Sequence, residues 1–176
     1  MELTSLYQRA LAYEGVEELK DSLTSNPTSY DLEGLGVQFP IDYEVHVKGH
    51  TDHVRLDLTV WYDIEAPCDR CTRPAHEEVE YDASFTLVGT NNHPLASSDV
   101  EDEVIAVSED GGSLEDLVVS IVIASIPLQI LCKDDCKGLC PQCGKDLNEG
   151  PCQCDEPEGD PRLAALKGLF SEDKEV

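Results

Sequence analysis

The sequence predicts an α+β fold: a small antiparallel sheet covered by one buried helix, followed by a cysteine-rich segment and a C-terminal helix. Three observations lead to it. Apolar and polar residues alternate with period two through residues 41–64 and 79–87, the signature of strands with one face buried. The run from Leu114 to Ile126 is apolar almost all round and is preceded by a helix-start signal. All eight cysteines fall into two groups, a C-x-x-C at Cys68 and Cys71 and six more between Cys132 and Cys154.

Each element has its own warrant. In the first segment, 1–36, Leu3, Leu6, Ala10 and Leu11, then Val16, Leu19 and Leu23, have roughly helical spacing, so the segment is expected to be partly helical. Gly15 interrupts that spacing, and the turn residues of SNPTSYDLEGLG make the stretch after it a loop. The second segment, 37–130, is the α+β core. Ile41, Tyr43, Val45 and Val47 form one apolar row, and Val54, Leu56, Leu58, Val60, Tyr62 and Ile64 the next, with a turn at Gly49–Asp52. Val79, Tyr81, Ala83, Phe85 and Leu87 make a third strand, which puts Cys68 and Cys71 at the tip of a hairpin. Ser113 and Asp116 form a capping box for a helix that runs to Pro127, and six β-branched residues in that run keep a strand open as the alternative. Val104–Val107 reads as a short strand, and 89–103 as a polar loop. Segment 131–155 carries the cysteines. Segment 156–176 continues an acidic linker into a closing helix, with Asp160 and Pro161 as its N-cap and first position.

The cysteines are read as zinc ligands. In C-P-Q-C-G the proline and glycine help the chain curl so that two thiolates face one point, the shape a tetrahedral site requires. Eight thiolates, Cys68, Cys71, Cys132, Cys136, Cys140, Cys143, Cys152 and Cys154, make two such sites with none left over, so two Zn2+ ions are expected, or one if a single site forms. Two groupings satisfy the spacing. Proximity puts Cys140, Cys143, Cys152 and Cys154 together, leaving Cys68 and Cys71 to join Cys132 and Cys136; a zinc-ribbon arrangement instead joins Cys68 and Cys71 to Cys140 and Cys143. In a reducing compartment dense cysteines favour metal over disulfides.

Composition narrows the function. The chain of 176 residues holds 37 acidic and 12 basic side chains, a net charge of −25. Such a body repels nucleic acid and membranes as a whole and attracts basic partners, although plain solubility is served equally well. No apolar stretch approaches the roughly 20 residues that span a bilayer, and no secretion signal opens the chain, so a cytoplasmic location without membrane attachment is expected. Five bases lie in or beside the cysteines: Arg70, Arg73, Lys133, Lys137 and Lys145. They either neutralise thiolate charge or form a local patch for RNA phosphates or another partner, and no aromatic pair interleaves them to stack bases.

No enzyme is expected. All-thiolate zinc is closed and electron-rich, a poor Lewis acid. Pro67-Cys68-Asp69-Arg70-Cys71 matches half of a zinc-deaminase signature, but its H-x-E half must come first, and His76-Glu77-Glu78 comes after. His46, His50, His53, His76 and His93 show no metal spacing, and there is neither a P-loop nor a G-x-S-x-G; no small-molecule substrate is indicated. A redox dithiol at Cys68 and Cys71 would call for a helix N-terminus, which Thr72-Arg73-Pro74 does not offer.

CDRCTRP at 68–74, LCKDDCKGLCPQCGKDLN at 131–148, the CQCDEP that follows, and DPRLAALKGL at 160–169 resemble the bacterial YceD-like proteins, the large ribosomal RNA subunit accumulation family. The likeness covers most of the chain after about residue 40. Asp146 departs from the asparagine common in relatives, and some relatives keep the C-x-x-C without most of the later cysteines. The resemblance implies a non-catalytic part in ribosome biogenesis, the accumulation or maturation of large-subunit ribosomal RNA. The expected partner is the large-subunit precursor, reached through a basic ribosomal protein, the rRNA, or both. The alternatives are a thiol-based redox or zinc-responsive regulator, and a scaffold for some other cationic protein.

Overall fold

A computed structural model describes residues 1–13, 15–89, 103–107 and 112–154. Its elements are α1 (Leu3–Ala12), β1 (Val16–Leu23), β2 (Ile41–Gly49), β3 (Val54–Pro67), β4 (Pro74–Gly89), β5 (Glu103–Val107) and α2 (Leu114–Ser125). The strands form one sheet in sequence order, β1 to β5. The first four pair antiparallel, and β5 runs parallel to β4, so the sheet is mixed and larger than the three strands that periodicity marks out.

Register follows the alternation. Val45 lies opposite Leu58, and Leu58 opposite Ala83; one position along the same face, Val47, Leu56 and Phe85 are aligned. This row of apolar side chains faces the helices. Leu3, Leu6, Tyr7 and Ala10 of α1, and Leu114, Val118, Val119, Ile121 and Val122 of α2, are buried against it in one core. The capping box expected at Ser113 is present: Asp116 N donates to the Ser113 hydroxyl at 3.1 Å and Ser113 N to the Asp116 carboxylate at 3.1 Å. The β-branched run after it is helical, because burial against the sheet outweighs the small propensity loss of its valines and isoleucines. Tyr62 fastens helix to sheet, its hydroxyl donating to Val122 O at 3.2 Å. The two helix starts are tied as well: Leu114 N donates to Met1 O at 2.8 Å and Leu3 N to Gly112 O at 3.2 Å.

Residues 1–36 are helical in part, at α1, and also supply a strand. Val16–Leu23 is an edge strand paired with β2 along its whole length, rather than a continuation of the helical spacing. Leu23 is buried and Leu19 only partly so, while Val16 stays exposed. An edge strand that buries so little shows no period of two, and a spacing of three and four residues then mimics a helix. The third strand begins at Pro74, five residues before its apolar alternation, because Pro74 to Glu78 pair with Asp63 to Pro67. The expected polar loop has its ends in the sheet, with Gly89 closing β4 and Glu103 opening β5. The acidic linker and the closing helix expected at 156–176 lie outside the described residues.

Candidate functional site

The long β3–β4 hairpin carries Cys68 and Cys71 at its tip, where Pro67 and Pro74 are the last paired residues. There the chain turns in a tight knuckle: Cys68 N donates to Arg73 O at 2.7 Å and Thr72 N to Cys68 O at 2.8 Å. The same two bonds recur at the second C-x-x-C, Cys140 N to Lys145 O and Gly144 N to Cys140 O, both 2.8 Å. In each knuckle the residue after the second cysteine is left-handed, Thr72 at φ 59° and Gly144 at φ 70°. Glycine suits that conformation and threonine does not, so the first knuckle carries local strain that the second avoids. The chain thus contains one structural unit twice, which the sequence spacing alone does not reveal.

Around these knuckles the eight thiols gather into two quartets, Cys68 with Cys71, Cys132 and Cys136, and Cys140 with Cys143, Cys152 and Cys154; within each, all sulfurs lie within 4.8 Å of one another. Of the two groupings that the spacing allows, this is the one formed by proximity. Representative separations are 3.8 Å for Cys68–Cys136, 3.4 Å for Cys71–Cys132 and 3.5 Å for Cys140–Cys152. A tetrahedron of sulfurs about 2.3 Å from a central zinc has edges of about 3.8 Å, so the donor set and its spacing fit that ion. None of the eight is in a disulfide.

Electrostatics point the same way. Burial pushes the Cys68 thiol up, but the amides of Cys132, Arg70 and Cys71 more than reverse this and bring it down to about 6. Cys140 is likewise brought to about 6 by the amides of Cys143 and Gln142. The Asn148 side chain, donating to the Cys136 sulfur at 3.4 Å, lowers Cys136. Their neighbours go the other way. Cys132 is driven to about 12, first by Cys71, and Cys154 to about 12, first by Cys143. Thiols this close oppose one another's ionisation, and a cation among them would relieve that opposition, so each quartet could hold a positive ion.

The two centres differ in setting. Cys68, Cys71 and Cys136 are 1%, 3% and 2% exposed and belong to the core, and this inner centre joins points 61 and 68 residues apart. The outer centre closes within residues 140–154, and its Cys143 is exposed. Asp69 and Asn148, which sequence reasoning passed over, brace the pair together with Asp146. Asp69 accepts from Ile130 N at 2.6 Å while its own N–H donates to Ile130 O at 2.9 Å, locking the hairpin tip to the segment that leaves α2. Asn148, besides reaching Cys136, accepts from Lys137 N at 3.0 Å. Asp146 accepts from Asn148 N and Nδ2, both at 2.8 Å, and pairs with Arg73; the Asn148 amide leads in holding its carboxyl below the usual range. Gly138 passes so close that a Cβ there would lie 2.9 Å from Arg70 O.

The five bases are spread over this surface. Arg70 donates to Cys136 O at 2.9 Å, Arg73 pairs with Asp146 and Glu149, Lys133 pairs with Asp135 at 3.4 Å, and Lys145 donates to Pro151 O at 2.9 Å. Their partners are carbonyl and carboxylate oxygens rather than thiolates. Lys137 has no side-chain partner among the described residues. The structure also sets His46 beside Glu18 and Glu44, and His76 beside Asp63 and Glu78, groupings that arise across strands and leave no spacing in the sequence. Lys20 already pairs with Glu18 at 3.1 Å and Glu44 at 3.0 Å, occupying the first of these. No helix among the described residues is long and apolar enough to cross a membrane.

Comparison with known proteins agrees with the cysteine pattern. Residues 56–170, about two thirds of the chain, match the family described as "Large ribosomal RNA subunit accumulation protein YceD". An uncharacterized protein of Mycobacterium tuberculosis is 29% identical over 161 residues, 90% of this chain and 76% of its own. The uncharacterized protein YlbN of Bacillus subtilis is 31% identical over 139 residues, 74% of this chain and 77% of its own. A chloroplastic YCED homolog 1 of Zea mays, named for large ribosomal RNA subunit accumulation, is 27% identical over 169 residues, 80% of this chain and 57% of its own. No solved structure matches. On this extent of similarity the chain belongs to the YceD family of large ribosomal RNA subunit accumulation proteins.

Proposed function

We propose that this protein is a non-catalytic factor for the accumulation or maturation of large-subunit ribosomal RNA, acting in the cytoplasm on the subunit precursor through a basic ribosomal protein. Two zinc ions, held by Cys68, Cys71, Cys132 and Cys136 and by Cys140, Cys143, Cys152 and Cys154, complete its fold. Zinc bound to four thiolates supplies a closed, redox-inert crosslink and no open position for substrate. The protein's own residues do the rest. Amide donors and Asn148 hold sulfurs in the ionised form, Asp69 fixes the hairpin tip, and Arg73 with Asp146 joins one knuckle to the other.

The observation that carries the proposal is the gathering of all eight thiols into two closed quartets at the end of one hairpin, in a chain whose family is named for large-subunit RNA. A net charge of −25 favours a cationic protein over a phosphate backbone as the main partner. Burial of Cys68 and Cys71 weighs against the regulator reading, because an oxidant must reach a thiol to change it. The test is sedimentation of tagged protein through sucrose gradients at low salt. Co-migration with precursor large subunits, lost as salt rises, is expected. Recovery wholly in the ribosome-free fraction would refute the role.

A further inference from the structure

The sheet has two faces. One is covered by α1 and α2; on the other, Asp42, Asp63, Glu65, His76, Glu78 and Glu80 are exposed and Trp61 is partly buried, while Thr86 at the far end is buried. On that open face the strands are charged unevenly. Toward the end remote from the hairpin tip, acids are matched by bases: Lys20 with Glu18 and Glu44, and Arg55 with Asp57 at 3.1 Å. The half nearer the tip is different. Trp61 stands between Asp42 on β2 and Glu80 on β4; the next row is Asp63 opposite Glu78, and the next Glu65 opposite His76. Across those three rows there are five carboxylates, one tryptophan and no lysine or arginine.

The surface is also shaped. Pro40, Asp42, Trp61, Asp63, Glu78 and Glu80 line a shallow concavity of about 430 Å³. Asp63 is half exposed with His76 3.8 Å away, His76 also lies within 4.8 Å of Glu78, and Asp42 accepts from the Ser22 hydroxyl. Elsewhere on this face lysine and arginine answer the acids; here five carboxylates around an indole have only a histidine among them, and they form a receptor for a guanidinium or ammonium group. An indole attracts such a cation through its π system, and carboxylates flank Trp61 on β2 and β4.

We propose that this open half-face of β2, β3 and β4, centred on Trp61, is the docking surface for an extended arginine- or lysine-rich segment of a partner protein. Rows on a sheet face repeat every two residues, about 7 Å, and an extended peptide lays alternate side chains at the same interval. The surface therefore favours a segment with a cation at every second position. RNA is excluded here, since phosphates would meet carboxylates with no base between them. The inference rests on the reading that the partner is a basic protein, and it says where on the molecule that protein is held.

The test uses the zinc-loaded full chain and the peptide Arg-Thr-Arg-Thr-Arg-Thr, which carries no aromatic group. Trp61 is the chain's single tryptophan, so its emission reports this surface alone. A saturable change in emission is expected at about 50 mM salt, where the Debye length exceeds 10 Å, with none from a glutamate counterpart. Exposed ion pairs each contribute a factor of about two to five, so the double change Asp63→Asn with Glu78→Gln should weaken binding about five- to tenfold. Glu2→Gln with Asp134→Asn alters net charge equally at a distance and should leave binding within about twofold. Circular dichroism and zinc content establish that each variant is folded. Equal weakening by both pairs, calorimetric binding without a Trp61 response, or no binding at all would overturn the proposal. Each of those results leaves co-sedimentation with precursor subunits intact as a separate measurement, so loss of this surface and loss of the ribosomal role are told apart.

Discussion

If the quartets hold zinc as proposed, removing the inner ion should cost far more than removing the outer one. The inner centre ties Cys71 to Cys132 across 61 residues. A crosslink of that span restricts the unfolded chain by about 4 kcal/mol. For a protein of this length 1 kcal/mol moves the melting temperature by about 2–4 °C, so the inner centre is worth roughly 8–16 °C. The outer centre ties Cys140 to Cys152 across 12 residues, which the same relation values at about 3 kcal/mol. That share acts on a surface segment, with Pro141 to Lys145 exposed, and scarcely on the sheet. The assay is calorimetric melting of reduced protein with zinc content measured in parallel, comparing Cys132→Ser with Cys154→Ser. The first should melt lower by the full interval, the second by a few degrees at most. Chelator should release zinc in two phases, the outer ion first because Cys143 is exposed. Equal destabilisation by the two variants, or melting indifferent to metal, would refute the reasoning.

Other consequences are open to direct measurement. Thr72→Gly relieves left-handed strain of about 1–2 kcal/mol while adding backbone freedom worth about 0.5–1, so urea unfolding should show a gain of up to about 1 kcal/mol. Asn148→Ala removes the donor to Cys136 and the acceptor of Lys137 N, and competition with a chromophoric chelator should show inner-site zinc affinity about 10–100-fold lower. Leu56→Ala empties a fully buried position between Val47 and Phe85 and should cost about 2–5 kcal/mol in the same urea experiment. Tyr43, buried and then further raised by the charge of Asp21, ionises only near pH 12. Its folded pKa lies above the unfolded value, so its share of stability is complete below about pH 10 and is lost as pH rises toward 12. Tyr43→Phe should flatten the alkaline fall in the urea midpoint over that window.

What the sequence makes legible depends on how one-sided each element's surroundings are. β2 and β3 bury one face fully, so Val45, Val47, Leu56 and Leu58 alternate without exception and their register can be read directly. The capping box and the following apolar run identify α2, since Ser113 and Asp116 act locally. β1 is hidden because an edge strand covered only near Leu19 and Leu23 need not alternate. The start of β4 is hidden because its inward positions hold Ala75 and Glu77 beside the tip. The cysteine grouping is visible as one of two arrangements; deciding between them depends on how far Ile130 and Leu139 are drawn to the hairpin tip by backbone bonds to Asp69 and Arg70. The open acidic half-face leaves no linear trace at all. Its members, Asp42, Trp61, Asp63, Glu78 and Glu80, come from three strands and meet only through register.

The distance along the chain between the two halves of the inner centre sets an order of events during synthesis. Cys68 and Cys71 leave the ribosome long before Cys132 and Cys136, which complete their quartet. Through that interval the emerging hairpin carries two unpartnered thiols, and only the paired sheet keeps them in place to be met. The outer quartet, by contrast, is finished within fifteen residues of its first ligand. A protein halted after the sheet but before residue 132 would therefore hold half a centre, waiting on the last quarter of its chain.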